Sequence, residues 1–407
     1  MSDEIGVLSL YEGFFRGGAR ILHTDVLAGL HGRGQRHRVL SIHGQVYREA
    51  TFQWMQDDPC YRRLVAAGVA VSALRDGDEG AARFDEAELA VLEREASRAD
   101  VVLTLKEQPL RLVNQGALRG PVITCLHRSD PENQGPALAE LRAAAAAGRI
   151  AALVCCADST RRAYQATGIP GGLLQVIPNG VDLRRFRPDR AARTRLRRSL
   201  GIPDDAPVIA FAARYDGMKN VPLFLASAAA FLARRPDAHV VMCGTGITLE
   251  NAGLRADLAA VGLEDAGSQP GSRVHLLGVC ENPQVLYAAA DVVSLTSAFG
   301  EAAPLCLIEG MMCGAVPVAT DVGDCASIVF GHGLLTPPEA DAIAASWQEA
   351  LARRAEFAPA LLAARERFGR RRMLASYASL IRRTAGAGGG VRVGAGRLPR
   401  PVLQPVG

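Results

Sequence analysis

Short apolar runs, each followed by a longer segment with helical spacing, recur along this chain, and the same rhythm restarts after a turn cluster at Pro178-Asn179-Gly180. Residues 5–10, 38–42, 69–74, 100–105, 121–126, 151–155 and 174–177 read as strands in the first series. Helices are expected over 18–30, 84–98 and 136–148. In the second series, strands fall at 207–213, 239–243, 274–277, 291–296 and 316–319, with helices at 220–234, 282–290 and 304–313. Strands separated by helices are βαβ units, and these build a mostly parallel sheet. The pattern predicts an α/β chain of two Rossmann-like, doubly wound domains facing each other across a cleft. The domains are expected at 1–180 and 181–362, with the basic polar stretch after Gly180 through Asp204 connecting them. A long basic helix at about 363–384 should cross back, and the Gly, Pro and Arg-rich residues 385–407 should be disordered.

A chain of 407 residues exceeds one ordinary core, which agrees with two domains. Hydrophobic residues at 49% and charged residues at 22% make it globular, and a net charge of +4 is too mild for a nucleic-acid footprint. The first residues show neither a basic nor an apolar signal region, and no apolar run has the length of a membrane span, so a cytoplasmic location without a stable membrane anchor is expected. Nine cysteines without a Cys-x-x-Cys pair read as buried, reduced thiols, and no metal or cofactor is expected. The acid pair of Asp76-Gly77-Asp78 lies in a turn-like stretch and reads as solvated. The arginines from Arg190 to Arg198 read as a solvated helix face and not as a lipid contact.

Ligands in doubly wound sheets sit beyond the carboxyl ends of the strands. Arg214 and Lys219 both follow the expected strand at 207–213, in Arg-Tyr-Asp-Gly-Met-Lys-Asn. Two cations on one strand-to-helix loop could stabilise the charge on a departing diphosphate, although a solvated pair would look the same. Glu301 and Glu309 flank Pro304, a residue favoured in the first turn of a helix. Glu309 sits among Leu305, Leu307, Ile308 and Met312, where a carboxylate needs a partner such as sugar hydroxyls or a basic neighbour. Gly17 and Gly18 open the first helix and would let backbone approach a diphosphate, or they form a plain helix entry. His127 ends the strand at 121–126 and could bond a donor sugar, though a core histidine fits as well.

These residues, taken with Asn179-Gly180-Val181-Asp182, Gly244-Thr245-Gly246, Leu277-Gly278, Ala290-Asp291, Gly314, Pro317-Val318 and Asp321-Val322-Gly323, resemble the family-4 retaining glycosyltransferases of the GT-B fold. The resemblance implies a sugar transferase that uses a nucleotide-diphosphate donor, UDP-linked, without a metal. It places Arg214 and Lys219 on the diphosphate, Glu301 on donor-sugar hydroxyls and Glu309 on the ribose. Backbone at Ala303, Pro304 and Leu305 would reach the sugar and phosphate, and backbone at Val279 the base. His127 would meet an outer sugar hydroxyl, and Gly17 and Gly18 the diphosphate.

Three positions depart from the family pattern: Glu301-Ala302-Ala303-Pro304 in place of Glu-Gly-hydrophobic-Pro, Gly323-Asp324 in place of Gly-Gly, and Ala19-Arg20 in place of Ala-Glu. The segments 11–24, 106–109, 127–135 and 214–222 look like the second glycosyltransferases of 2-deoxystreptamine aminoglycoside pathways. That similarity implies a cationic aminocyclitol acceptor, modified at the 6-hydroxyl of a paromamine-type pseudodisaccharide. Glu12, Asp130 and Glu132, at loop positions of the first half, could face such a polycation. An epimerase or hydrolase acting on nucleotide sugars, or a nucleotide-sugar-binding regulator, are the alternatives on the same fold.

Overall fold

The computed structural model describes residues 4–388, apart from 16, 49–50, 78–82, 119 and 268–270. Asp78 and the tail from 389 onward lie outside the described residues. The first sheet holds β1 (Ile5–Tyr11), β2 (Gln35–His43), β5 (Ala70–Arg75), β6 (Val101–Leu105), β7 (Val122–Leu126), β8 (Ile150–Cys155) and β9 (Leu174–Val176), while β3 (Gln45–Arg48) and β4 (Thr51–Trp54) form a separate hairpin. The second holds β10 (Val208–Ala212), β11 (His239–Cys243), β12 (Val274–Leu276), β13 (Val292–Leu295), β14 (Val316–Thr320) and β15 (Leu334–Thr336).

Both sheets are parallel. Their orders are β5-β2-β1-β6-β7-β8-β9 and β12-β11-β10-β13-β14-β15. Central strands such as Val-Val-Leu-Thr-Leu (β6) are buried at every position, because helices cover both faces. The strand order reverses between β1 and β6 in the first sheet and between β10 and β13 in the second. Crevices open beyond the strand ends at such reversals. Among the described residues, the two non-glycines with left-handed backbone are Lys106 (φ 66) and Asn220 (φ 51), and both follow strands at these reversals. Such conformations cluster where a loop is held for a purpose other than its own comfort.

The reading of 363–384 as one helix is corrected. One helix spans Arg354–Ala363, and the last runs Arg370–Gly388, so residues 385–388 are helical and not part of a disordered tail. The chain bends between the two helices to lie beside the inter-domain crossing. There Val181 N–H donates to Phe368 O, and Arg370 N–H to Val181 O, each at 2.8 Å. The last helix then buries Met373, Tyr377, Leu380 and Ile381 in the core of the first domain.

The connection inferred up to Asp204 is also corrected, since it contains the helix Arg190–Ser199, packed on the second domain. Arg190, Arg195 and Arg198 are exposed, as a solvated face requires, whereas Arg197 is fully buried. The guanidinium donates to the carbonyls of Ala289, Pro203, Asp204 and Ala206 at 2.7–3.1 Å and to Asp291 Oδ2 at 2.8 Å. Burial pulls Arg197 down from its ordinary pKa, and Asp291 opposes that pull. Composition alone treats a run of arginines as solvated; this guanidinium reaches four backbone carbonyls and one buried carboxylate. The hairpin and the helices Pro59–Ala66, Asp158–Ala166 and Ala340–Ala352 were also absent from the sequence reading. No helix among the described residues is long and apolar enough to cross a membrane.

Candidate active site

The loop after β10 carries Arg214 and Lys219, and the loop after β13 carries Glu301. They meet at the reversal of the second sheet. The Lys219 ammonium contacts the Glu301 carboxylate, and Ser297 Oγ donates to the same Oε1 at 2.6 Å. Burial draws Lys219 toward neutrality, but Glu301 opposes it strongly enough that the Lys219 pKa is raised, so the ammonium is charged at neutral pH. Arg214 pairs with Asp216 at 2.9 Å and is more open to solvent than Lys219. Asp216 Oδ1 also accepts from Lys219 N–H at 3.0 Å, which ties both cations to one turn. Gly244 supports that turn from behind. A Cβ there would lie 1.9 Å from Ala213 O, and Tyr215 N–H donates to Thr245 O at 2.8 Å. The Gly244-Thr245-Gly246 run therefore serves close packing under Arg214.

Pro304 precedes the helix Leu305–Met312, which presents Leu305 and, one turn on, Glu309. Leu305 packs on the cores of both domains, and a Cβ on Gly18 would meet its side chain at 3.4 Å. Gly18 and the start of this helix thus face each other across the cleft. Gly17 has nothing within 4 Å of an added Cβ, and its backbone is extended. Val279 is exposed at the rim. Ala303, on the loop before that helix, is half-buried, and its carbonyl accepts from Asn179 Nδ2 at 2.9 Å.

Glu309 is half-buried. Burial pushes its carboxyl up to about 8, against the opposing effects of the Tyr287 hydroxyl and Arg185. The group is protonated at pH 7, whereas a carboxylate is the better acceptor for two ribose hydroxyls. UDP binding is therefore expected to release up to about one proton at pH 7 and to strengthen as pH rises toward 8. Calorimetry in buffers of different ionisation enthalpy checks this, and Glu309→Gln should abolish the release. In the protein alone the same group loses stability as pH climbs from the ordinary carboxyl range through about 8, because the folded chain then holds more protons than the unfolded one.

On the opposite wall, His127 Nε2 is buried without a hydrogen-bond partner, and burial with Lys106 nearby lowers the ring pKa to about 3. A neutral imidazole with an open nitrogen suits a hydroxyl. The acids expected to face a polycation come with their own cations. Glu12 accepts from Arg111 at 2.9 Å, with His43 at 3.8 Å, and Asp130 is held by Arg128, whose Nε lies 2.6 Å from Oδ1. Glu12 and Asp130 are thus paired carboxylates, while Glu132 is exposed. Sequence spacing could not reveal the first of these pairs, because Arg111 and Glu12 are 99 residues apart. Ser297, Ser129, Asp324, Tyr287 and Glu107 were missed. Glu107 is buried, and burial pushes its carboxyl up. Of these, Asp324 had a signal, as a departure from the family pattern. No cluster of three or more metal-ligating side chains occurs among the described residues.

Residues 16–185 match the model of Glycosyltransferase Family 4, and residues 192–371 that of Glycosyl transferases group 1. D-inositol 3-phosphate glycosyltransferase of Saccharomonospora viridis is 35% identical over 208 residues, 48% of this chain and 44% of that protein. The protein of the same name from Geodermatophilus obscurus is 35% identical over 201 residues, 47% of this chain and 42% of its own. The matched region thus spans less than half the length of these relatives. HepE of Anabaena, crystallised with UDP, superposes with a TM-score of 0.76 over 93% of this chain and all of that one, at 20% identity. Sucrose-phosphate synthase of Thermosynechococcus elongatus does so at 0.69 over 94% of this chain and all of that one, at 19% identity. With paired Rossmann-like sheets and both halves matched, the chain has the GT-B fold, its first half similar to glycosyltransferase family 4 and its second half to the group 1 glycosyl transferases.

Proposed function

We propose that this protein is a retaining, metal-independent glycosyltransferase that moves a sugar from a UDP-linked donor to a ring hydroxyl of a cyclitol. The observation that carries the reading is the charged Lys219 ammonium on Glu301 at the sheet reversal, with Arg214 on the same turn. In this scheme Lys219 and Arg214 take the diphosphate, Glu301 then accepts donor-sugar hydroxyls, and Glu309 takes the ribose. The bond from the sugar C1 to the diphosphate oxygen lengthens first. The acceptor oxygen attacks from the same face, and its proton passes to the departing diphosphate, so configuration is kept. The two cations stabilise charge that grows as the bond breaks. Neighbours crystallised with UDP and UDP-glucose support this donor class.

The finer proposal is the 6-hydroxyl of 2-deoxystreptamine in a paromamine-type pseudodisaccharide, and it rests on the segments around Gly17, Lys106, His127 and Arg214. A second reading is a phosphorylated inositol, as in the names of the relatives. Arg111 and Arg128, each poised to exchange a carboxylate for a phosphate, favour it. Both acceptors are cyclitols. Purified protein with UDP-sugars and each acceptor, with excess chelator and analysed by mass spectrometry and anomeric coupling constants, tests the reading. A new α-glycoside from an α-linked donor is expected. Free sugar or an epimer alone would overturn it in favour of a hydrolase or epimerase, and tight UDP-sugar binding without turnover in favour of a regulator.

A further inference from the structure

The helix Asp158–Ala166 of the first domain has no cap of its own, because the residue before it is Ala157. Its cap comes from the other domain. Asp324, in the loop after β14, accepts from Asp158 N–H at 2.9 Å through Oδ2 and from Ser159 N–H at 2.8 Å through Oδ1. First-turn amides have no partner within a helix, and a carboxylate there also meets the positive end of the dipole.

The same residue holds the loop that carries Glu301. Asp324 N–H donates to Ala302 O at 2.8 Å. The preceding Gly323, at φ 65, lies so near that a Cβ would come within 2.2 Å of Glu301 O. Two further donors complete the grip. Ser129 Oγ of the first domain donates to Glu301 O, and Asn179 Nδ2 at the crossing donates to Ala303 O at 2.9 Å. Successive carbonyls at 301, 302 and 303 are thus held by the first domain, the second domain and the connection.

We infer that Asp324 is a positioning residue that couples closure of the two domains to the placement of the Glu301 loop. The inference rests on the transferase reading for its kinetic consequence, but not for its conformational one. Opening the cleft breaks both bonds to the helix amides and removes Ser129 from Glu301 O. Lys219 and the donor sugar then face a loop held from one side, and water enters. With the bonds in place, Glu301 is set and water is excluded before the donor bond breaks.

The test compares wild type with Asp324→Ala, Asp158→Pro and Asp158→Ala. Proline at 158 removes one of the two donors at a helix position that accepts it, after a residue already extended. Alanine at 158 loses the same half-exposed carboxylate but keeps the N–H. In Asp324→Ala and Asp158→Pro, turnover should fall roughly 5–30-fold, the scale of a lost helix cap. The share of donor lost to water should rise, and X-ray scattering with saturating UDP should show a larger radius of gyration. Asp158→Ala should behave as wild type, and the Asp324→Ala/Asp158→Pro double variant should fall short of the sum of its parts. Unchanged scattering and water loss in both single variants, or additive effects in the double, overturns the inference. If Asp324→Ala does not fold, the contrast between the two Asp158 variants decides. If wild type turns over no UDP-sugar, the transferase reading fails, and scattering alone decides the coupling.

Discussion

Lys219→Ala is expected to lower turnover by roughly 10²-fold or more, the loss that follows removal of one group stabilising transition-state charge. Lys219 is the more shielded of the two cations and is held against Glu301, so its charge acts through less water than that of an exposed lysine. Arg214→Ala should produce a similar loss with less structural consequence, because Arg214 is more exposed and its partner Asp216 remains solvated. Steady-state kinetics with a UDP-sugar, beside thermal melting of each variant, checks the assignment. Near-normal turnover in both variants would reject it. In Lys219→Ala, Glu301 keeps Ser297 as a donor. A drop in melting temperature confined to Lys219→Ala would therefore report a carboxylate left without its cation, and unchanged melting of Arg214→Ala with lost turnover would isolate the chemical role.

The second large effect is on stability. Arg197→Met is expected to destabilise the second domain by about 3–5 kcal/mol, the scale for breaking a buried charged pair from one side. The substitution leaves the carbonyls of Ala289, Pro203, Asp204 and Ala206 without this donor and takes one of three arginines from Asp291. Arg193, Arg354 and the Val208 amide still hold that carboxylate, which keeps the loss below that of an isolated buried acid. At about 2–4 °C per kcal/mol for a domain of this size, the melting temperature should drop by about 10 °C. Arg195→Met, two residues away on the exposed side of the same helix, should change stability by no more than about 0.5 kcal/mol. Equal melting of the two variants would show that Arg197 is not the tie between this helix and the sheet.

The contrast between Arg195 and Arg197 shows where sequence reading stops. A run of arginines has one composition, and only the docking of their helix on Ala289 and Asp291 separates a solvated side chain from a buried one. The same holds for Glu12 and Asp130. Their loop positions followed from the strand pattern, but the arginines that neutralise them come from Arg111, 99 residues away, and from a side-chain turn at Arg128. Glu301 and Lys219 were legible as strand-end residues, because a doubly wound sheet sends its ligand groups to that edge. Their direct contact was not, because it depends on β10 and β13 lying side by side while 82 residues separate the two side chains.

What the amino-acid order determined by itself was the two parallel sheets and the strand-end positions of Lys219 and Glu301. Apolar runs long enough for a strand, each followed by a helical stretch, can hide both faces only in that arrangement. Tertiary structure alone decided which charges face water, which are paired, and that Asp324 in one domain caps a helix in the other. Those outcomes depend on distances between segments far apart in the chain, and burial raises or removes the cost of a charge only once the segments have met.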